Sequence, residues 1–313
     1  MTHGPSVLAI ATLALFLGTP PLVTTRGGAP SNSVGPSGVS GPKSHDELTR
    51  VRSRDGTPIA VECAGSGPTL VIVHGGIGDR TRWTPMFPLL EGRLTVCAMD
   101  RRGHGASGDS GVYSLQKEAE DVAAVVDSRP GEVFVLGHSY GGVSALEATF
   151  LTRKIARLIL YEPPLREPAA FNLAVADSLD RLIASGRRDQ AVATFLHDVV
   201  GQSPDEIAAL RARPGWAELA ATIDLQPRQM RALAGYRFEP ARMKAVRIPT
   251  LLLTGGETRS PYLRRAIRDL QSSLPHPTLV VLPGQQHNAM DRDPELLARE
   301  ILHFLAPDST PRH

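Results

Sequence analysis

The chain has no excess of either charge. Its 34 Lys and Arg stand against 32 Asp and Glu, a formal +2, and no block of five or more like charges occurs. Nothing in it therefore offers a surface for nucleic acid or for an anionic membrane face, and the expected partner is a small-molecule substrate. C-x-x-C and H-E-x-x-H are both absent, so no spacing argues for a metal ion, and no cofactor is expected. Cysteine is scarce. Cys63 and Cys97 each sit in an apolar run, 59–64 and 94–99, and read as buried free thiols in strands rather than as a disulfide, which leaves the compartment undecided. The apolar run 7–17, eleven residues, is too short to span a bilayer but long enough for a signal-peptide core, and a Gly/Ser/Pro tract at 27–42 follows as a flexible spacer. The first six residues lack Lys and Arg, and Pro20 and Pro21 occupy the region where cleavage is expected. Two readings stay open: export or membrane tethering through this segment, or a cytoplasmic protein with an uncleaved or mis-started leader.

What is present is core. At 313 residues and 42% hydrophobic, the chain can bury a large interior as one domain with an insertion or as two smaller ones. From Leu48 onward, strands are expected at 50–53, 59–62, 69–73, 94–99, 133–136, 155–161, 250–253 and 278–282, the first two joined at the turn Asp55-Gly56. Helical spacing appears at 85–90, 114–126, 142–151, 262–270 and 295–305, the last with Asp293 as N-cap and Pro294 at the first helical position. Such alternation implies an α/β fold with a mostly parallel, helix-covered sheet. One stretch breaks it. Residues 167–245 show no strand but several helical patterns, at 171–184, at 190–200 and from Ser203-Pro204-Asp205-Glu206, a capping box, and they read as an all-helical lid inserted over the strand C-termini. The expected division is a leader at 1–45, a core at 46–166 and 246–307, the lid at 167–245 and a tail at 308–313.

Gly137-His138-Ser139-Tyr140-Gly141 lies between the apolar run 133–136 and a helical segment, which puts Ser139 on a tight strand-to-helix turn. Small residues are required there because side chains would meet the facing backbone, and a helix N-terminus favours developing negative charge. A serine hydroxyl is a weak nucleophile and needs a base, itself oriented by an acid. His287, in a Gly-containing loop after the last strand, is the expected base. Glu257, following the strand at 250–253, is the expected acid, with Glu162 at the end of the strand 155–161 as its rival. The backbone amides of Tyr140 and of Gly76, in His74-Gly75-Gly76-Ile77-Gly78, are the expected oxyanion donors. Gly103-His104-Gly105-Ala106-Ser107-Gly108 satisfies G-x-G-x-x-G, but Asp109-Ser110-Gly111 intervenes before any helix, so a dinucleotide site is not expected.

Together, His74-Gly75-Gly76, the turn Asp100-Arg101-Arg102-Gly103-His104-Gly105-Ala106-Ser107, the Gly137–Gly141 pentapeptide and Gly284-Gln285-Gln286-His287 resemble the α/β-hydrolase fold family over roughly residues 48–306. The resemblance implies an eight-stranded sheet with a helical lid after the sixth strand and a Ser-acid-His triad. Gly255-Gly256-Glu257 is similar to the family's acid loop, with Glu where Asp is usual and about one residue more. Haloalkane dehalogenases and epoxide hydrolases of this fold use Asp at the elbow, and Ser139 argues against both. The expected activity is cofactor-independent hydrolysis of an ester-like bond in a small, mainly apolar substrate. The alternatives are a carbon–carbon bond hydrolase, an acyltransferase, or a slow-turnover ligand-binding protein of the same fold.

Overall fold

The computed structural model describes residues 48–165, 168–213 and 215–306. The signal-like run, the spacer and the C-terminal tail lie outside them. Eight strands form one sheet: β1 Thr49–Arg52, β2 Pro58–Gly65, β3 Thr69–Val73, β4 Thr95–Met99, β5 Val133–His138, β6 Ile155–Tyr161, β7 Thr250–Gly255 and β8 Pro277–Leu282, in the spatial order β1-β2-β4-β3-β5-β6-β7-β8. β2 runs antiparallel to both β1 and β4, and the remaining pairs are parallel. The turn between β1 and β2 closes at Asp55-Gly56, with Gly56 at φ +86° and the Thr57 amide donating to Asp55 Oδ1 at 3.1 Å.

The central strands are apolar throughout because both faces are covered. On β3, Val71 and Val73 enter a core with Val135 and Leu160 beneath α2 (Leu115–Asp127) and α3 (Tyr140–Ala148), whose far end holds Ala266 and Ile267 of α10 (Pro261–Ser273). Leu70 and Ile72 point the other way, into a core with Trp83, Met290, Leu297 and Ile301 under α1 (Phe87–Leu90), α11 (Ala289–Arg292) and α12 (Pro294–Leu305). This two-residue alternation is the strand period itself, and each fully buried Leu or Ile contributes about 1.5–3 kcal/mol.

Between β6 and β7 the chain forms helices only among the described residues: α4 Ala169–Ala184, α5 Arg188–Phe195, α6 Pro204–Arg211, α7 Trp216–Thr222, α8 Gln226–Gly235 and α9 Pro240–Met243. Leu179, Val192, Phe195, Trp216 and Met230 build a separate core there, joined by Ile77 from the loop after β3. The helix expected at 190–200 begins two residues earlier and ends in a wider π turn, Leu196–Val200, stopped at Gly201 with φ +80°. The capping box forms as spaced: the Glu206 amide donates to Ser203 Oγ at 3.3 Å, and the Ser203 amide to Glu206 Oε2 at 2.7 Å. Among the described residues no helix is long and apolar enough to cross a membrane.

The cysteine expectation is corrected. Antiparallel register sets Cys63 on β2 opposite Cys97 on β4, with Cα atoms 4.1 Å apart, and the two are joined in a disulfide. Neither apolar run alone indicates that strands 34 residues apart are neighbours.

Candidate active site

In a parallel sheet, a crevice opens where neighbouring strands send their connections in opposite directions. Here β3 is flanked by β4 on one side and β5 on the other, so the crevice lies at the C-terminal ends of β3 and β5. The loop after β3 carries Gly75 and Gly76, and β5 ends at His138. Ser139 follows at φ 51°, ψ −124°, a left-handed conformation costly for a side-chain residue, and α3 (Tyr140–Ala148) starts at the next residue. Its own amide donates to the Tyr161 carbonyl at 2.9 Å, and its carbonyl accepts from the Gly142 amide at 2.8 Å, so the turn is pinned on both sides. The flanking glycines are sterically required. A Cβ on Gly141 would lie 2.3 Å from the His74 carbonyl oxygen, and one on Gly137 would lie 2.6 Å from the Gly141 oxygen.

His287 sits in the loop after β8, which three contacts hold in place. The His138 imidazole donates from Nε2 to the His287 carbonyl at 2.9 Å, the Tyr161 hydroxyl donates to the Gln286 carbonyl, and the Ala289 amide donates to the Tyr161 hydroxyl at 3.1 Å. Burial pushes the His138 imidazole well below its ordinary pKa, with the neighbouring His287 and Arg82 adding to the effect. His138 therefore serves this loop as a neutral donor.

The carboxylate facing His287 is Glu162, and the expectation for Glu257 is corrected. Glu162 Oε2 accepts from His287 Nδ1 at 2.7 Å, while Oε1 accepts from the Thr254 hydroxyl at 2.7 Å, the Gly255 amide at 2.9 Å and the Thr258 hydroxyl at 2.5 Å. Glu162 is fully buried, directly after β6, at φ 46°. Burial raises its pKa, but the hydrogen bond and charge of His287 and the two threonine hydroxyls outweigh burial and hold the carboxyl below its ordinary value. Glu257 is exposed, its amide donating to the Gln285 carbonyl at 2.8 Å. The end of β7 and the loop after it thus cradle the carboxylate that follows β6. An ionised Glu162 at Nδ1 fixes the His287 tautomer with its lone pair on Nε2.

Gly75 and Gly76 lie against the elbow. A Cβ on Gly75 would be 2.9 Å from His138 Nδ1 and 3.3 Å from Ser139 Cβ. The Gly76 carbonyl accepts from the Gln226 side chain of α8 (Gln226–Gly235), and the Gly78 amide donates to the Thr222 hydroxyl at 2.9 Å, so the helical insertion grips the loop. As the first residue of α3, Tyr140 has an amide without an intrahelical acceptor.

One cavity brings these groups together. Ser139, His287, Gly75, Gly76 and Tyr140 line its floor, and Phe195, Leu196, Val199, Val200, Met230 and Leu233 of the insertion line its apolar wall. Sequence reasoning missed its polar members, Arg82, Gln226 and Asn288. Arg82 is ion-paired with Asp291 across the cavity rim. No motif marks these three residues; only their proximity in the fold does. Among the described residues no group of three or more His, Cys, Asp or Glu side chains could hold a metal ion. The Gly103–Gly108 turn folds back on itself, the Gly103 amide donating to the Gly108 carbonyl at 2.9 Å, and the next helix starts only at Leu115.

Comparisons with known proteins agree with this architecture. The model of the alpha/beta hydrolase family matches residues 70–300. An alpha/beta hydrolase from Sphaerobacter thermophilus, of known structure, is 36% identical over 82% of this chain and all of its own, with a TM-score of 0.72. The 2-(acetamidomethylene)succinate hydrolase of Mesorhizobium japonicum is 23% identical over 77% of this chain and 89% of its own. An esterase from Exiguobacterium antarcticum, 18% identical over 82% of this chain and 98% of its own, shares the fold with a TM-score of 0.67. With a family model matched across most of its length and a 36% identical relative covered in full, this chain is a hydrolase of the alpha/beta hydrolase family.

Proposed function

We propose that the protein is a cofactor-independent serine hydrolase that cleaves a carboxylic ester, lactone or thioester through an acyl-enzyme. The observation that carries this reading is the hydrogen bond to buried Glu162 from His287, which lines the same cavity as the strained Ser139. His287 Nε2 takes the hydroxyl proton as Ser139 Oγ attacks the carbonyl carbon, and the imidazolium that forms is stabilised by Glu162. The charge on the carbonyl oxygen is accepted by the Gly76 and Tyr140 amides. His287 then gives the proton to the leaving alcohol or thiol, and water repeats the sequence on the acyl group. The apolar helical wall acts as a lid and favours a small, mainly apolar acyl group. A panel of chromogenic esters of increasing acyl length, run on the wild type beside Ser139→Ala, tests the reading. Hydrolysis that falls by several orders of magnitude in the variant supports it, and equal rates refute it.

A second reading of the substrate rests on Arg82, a cation lining an otherwise largely apolar cavity. A relative named for a succinate derivative acts on a carboxylated molecule. In this reading the substrate carries a carboxylate that meets the Arg82 guanidinium. Adding acidic esters such as monoaryl succinates to the panel separates the two: a lower KM for them that is lost in Arg82→Met favours the acidic substrate.

A further inference from the structure

A second buried network reaches the cavity at Gly75 and Tyr140, while Arg101 and Glu118 at its centre do not line it. Arg101, directly after Asp100 at the end of β4, is completely buried, as is its partner Glu118 on α2. Its Nε and Nη2 donate to the two Glu118 oxygens at 2.9 and 2.7 Å, a bidentate pair that leaves Nη1 free to act elsewhere. Nη1 donates to the Gly75 carbonyl at 2.7 Å. The His74 imidazole donates to the same oxygen from Nδ1 at 2.9 Å, and its Nε2 accepts the Arg101 amide at 3.1 Å. The guanidinium carbon also lies 4.3 Å from the centre of the Tyr140 ring. Tyr113 completes the cluster, its hydroxyl 2.8 Å from Glu118 Oε1 and 2.9 Å from the Tyr140 hydroxyl.

The consequence follows from peptide geometry. In a planar trans peptide, the carbonyl and the next residue's N–H point in opposite directions. With the Gly75 oxygen held toward Arg101 and His74, the Gly76 N–H is turned away from them. It cannot rotate without breaking two hydrogen bonds, one from a buried cation. Glycine at both positions would otherwise leave this peptide free to flip. The same guanidinium packs on the side chain of Tyr140, the residue that supplies the other amide. We infer that Arg101, locked by Glu118, is a positioning residue that aims both oxyanion donors. The inference rests on the serine-hydrolase reading above and extends it to a residue outside the cavity.

The test uses Arg101→Met, and Arg101→Met with Glu118→Gln so that no buried carboxylate is left unpaired. Active sites are titrated with a fluorophosphonate, so that kcat is expressed per reactive serine. The inhibition constant of phenylboronic acid, which forms a tetrahedral adduct on the serine oxygen, is measured alongside. Removing one oxyanion donor outright costs about 10²- to 10³-fold, and a misaimed donor costs part of that. The expected result in both variants is therefore a roughly 10- to 100-fold lower kcat per titrated site, with KM within about threefold and the boronic acid inhibition constant raised in parallel with the kcat loss. Fewer titratable sites with kcat per site unchanged is the signature of a purely structural role and overturns the inference. Should both variants fail to fold, Arg101→Lys, which keeps the buried charge but not the fork, is judged by the same numbers. A wild type that takes no fluorophosphonate label would instead refute the serine-hydrolase reading, leaving the two failures distinct.

Discussion

Replacing Glu162 by Gln changes one atom, and the structure dictates what that atom does. Three donors, the Thr254 and Thr258 hydroxyls and the Gly255 amide, converge on one carboxylate oxygen. The hydroxyls can rotate, but the Gly255 N–H cannot, so the glutamine must keep its carbonyl oxygen there and turn its NH2 toward His287. That NH2 donates to Nδ1, which forces the imidazole proton onto Nε2, the nitrogen needed as base. The geometry survives and the tautomer is wrong. For a triad acid this costs roughly 10⁴-fold in kcat, about 5.5 kcal/mol of transition-state stabilisation. Steady-state hydrolysis of a chromogenic ester by Glu162→Gln and Glu257→Gln gives the comparison, with the exposed Glu257 expected to matter less than about twofold. Retention of more than a tenth of wild-type kcat in Glu162→Gln would show that Glu162 does not set the His287 tautomer, and a selective loss in Glu257→Gln would restore the acid expected from sequence.

Other outcomes follow from the same contacts. Gly141→Ala places a methyl group 2.3 Å from the His74 carbonyl oxygen and should lower stability by about 3 kcal/mol or more, read as a lower urea midpoint; an unchanged midpoint contradicts the packing described. Arg102, fully buried, makes two 2.6 Å bonds to buried Asp121, so Arg102→Met should cost about 3–5 kcal/mol, with part regained in Arg102→Met combined with Asp121→Leu. Because the Glu162 carboxyl is held below its ordinary value of 4.5, its ionisation stabilises the fold fully above that pH, and the contribution is lost as pH falls through the lower folded value. The stability gap between the wild type and Glu162→Gln should therefore narrow on acidification below about pH 4.5, and a gap that widens there contradicts the sign.

Much of the fold is legible because burial on both faces leaves uninterrupted apolar strands. β3 and β6 have the bounds read from sequence, and Ser203 and Asp293 cap the helices they were expected to cap. The elbow is legible for a similar reason, since its glycines answer a local steric demand. The partner of His287 is not local. Two glutamates follow two adjacent parallel strands, and a left-handed backbone at Glu162 together with three donors from residues 254–258 decides which one turns inward. No single stretch of sequence carries that information. The disulfide fails to announce itself in the same way, because it depends on β2 pairing with β4 rather than with its neighbour in sequence, β3. Arg101 and Arg102 sit in the turn after β4, and nothing in that stretch alone indicates that both are buried against α2.

The proposed chemistry depends on activation of the Ser139 hydroxyl by His287. Fluorophosphonate labelling followed by peptide mass spectrometry tests it most directly, on the wild type and on His287→Ala. One adduct per chain is expected, on Ser139, with labelling slowed by at least about a thousandfold in the variant. An adduct on another residue, or equal labelling rates in the two proteins, would contradict it.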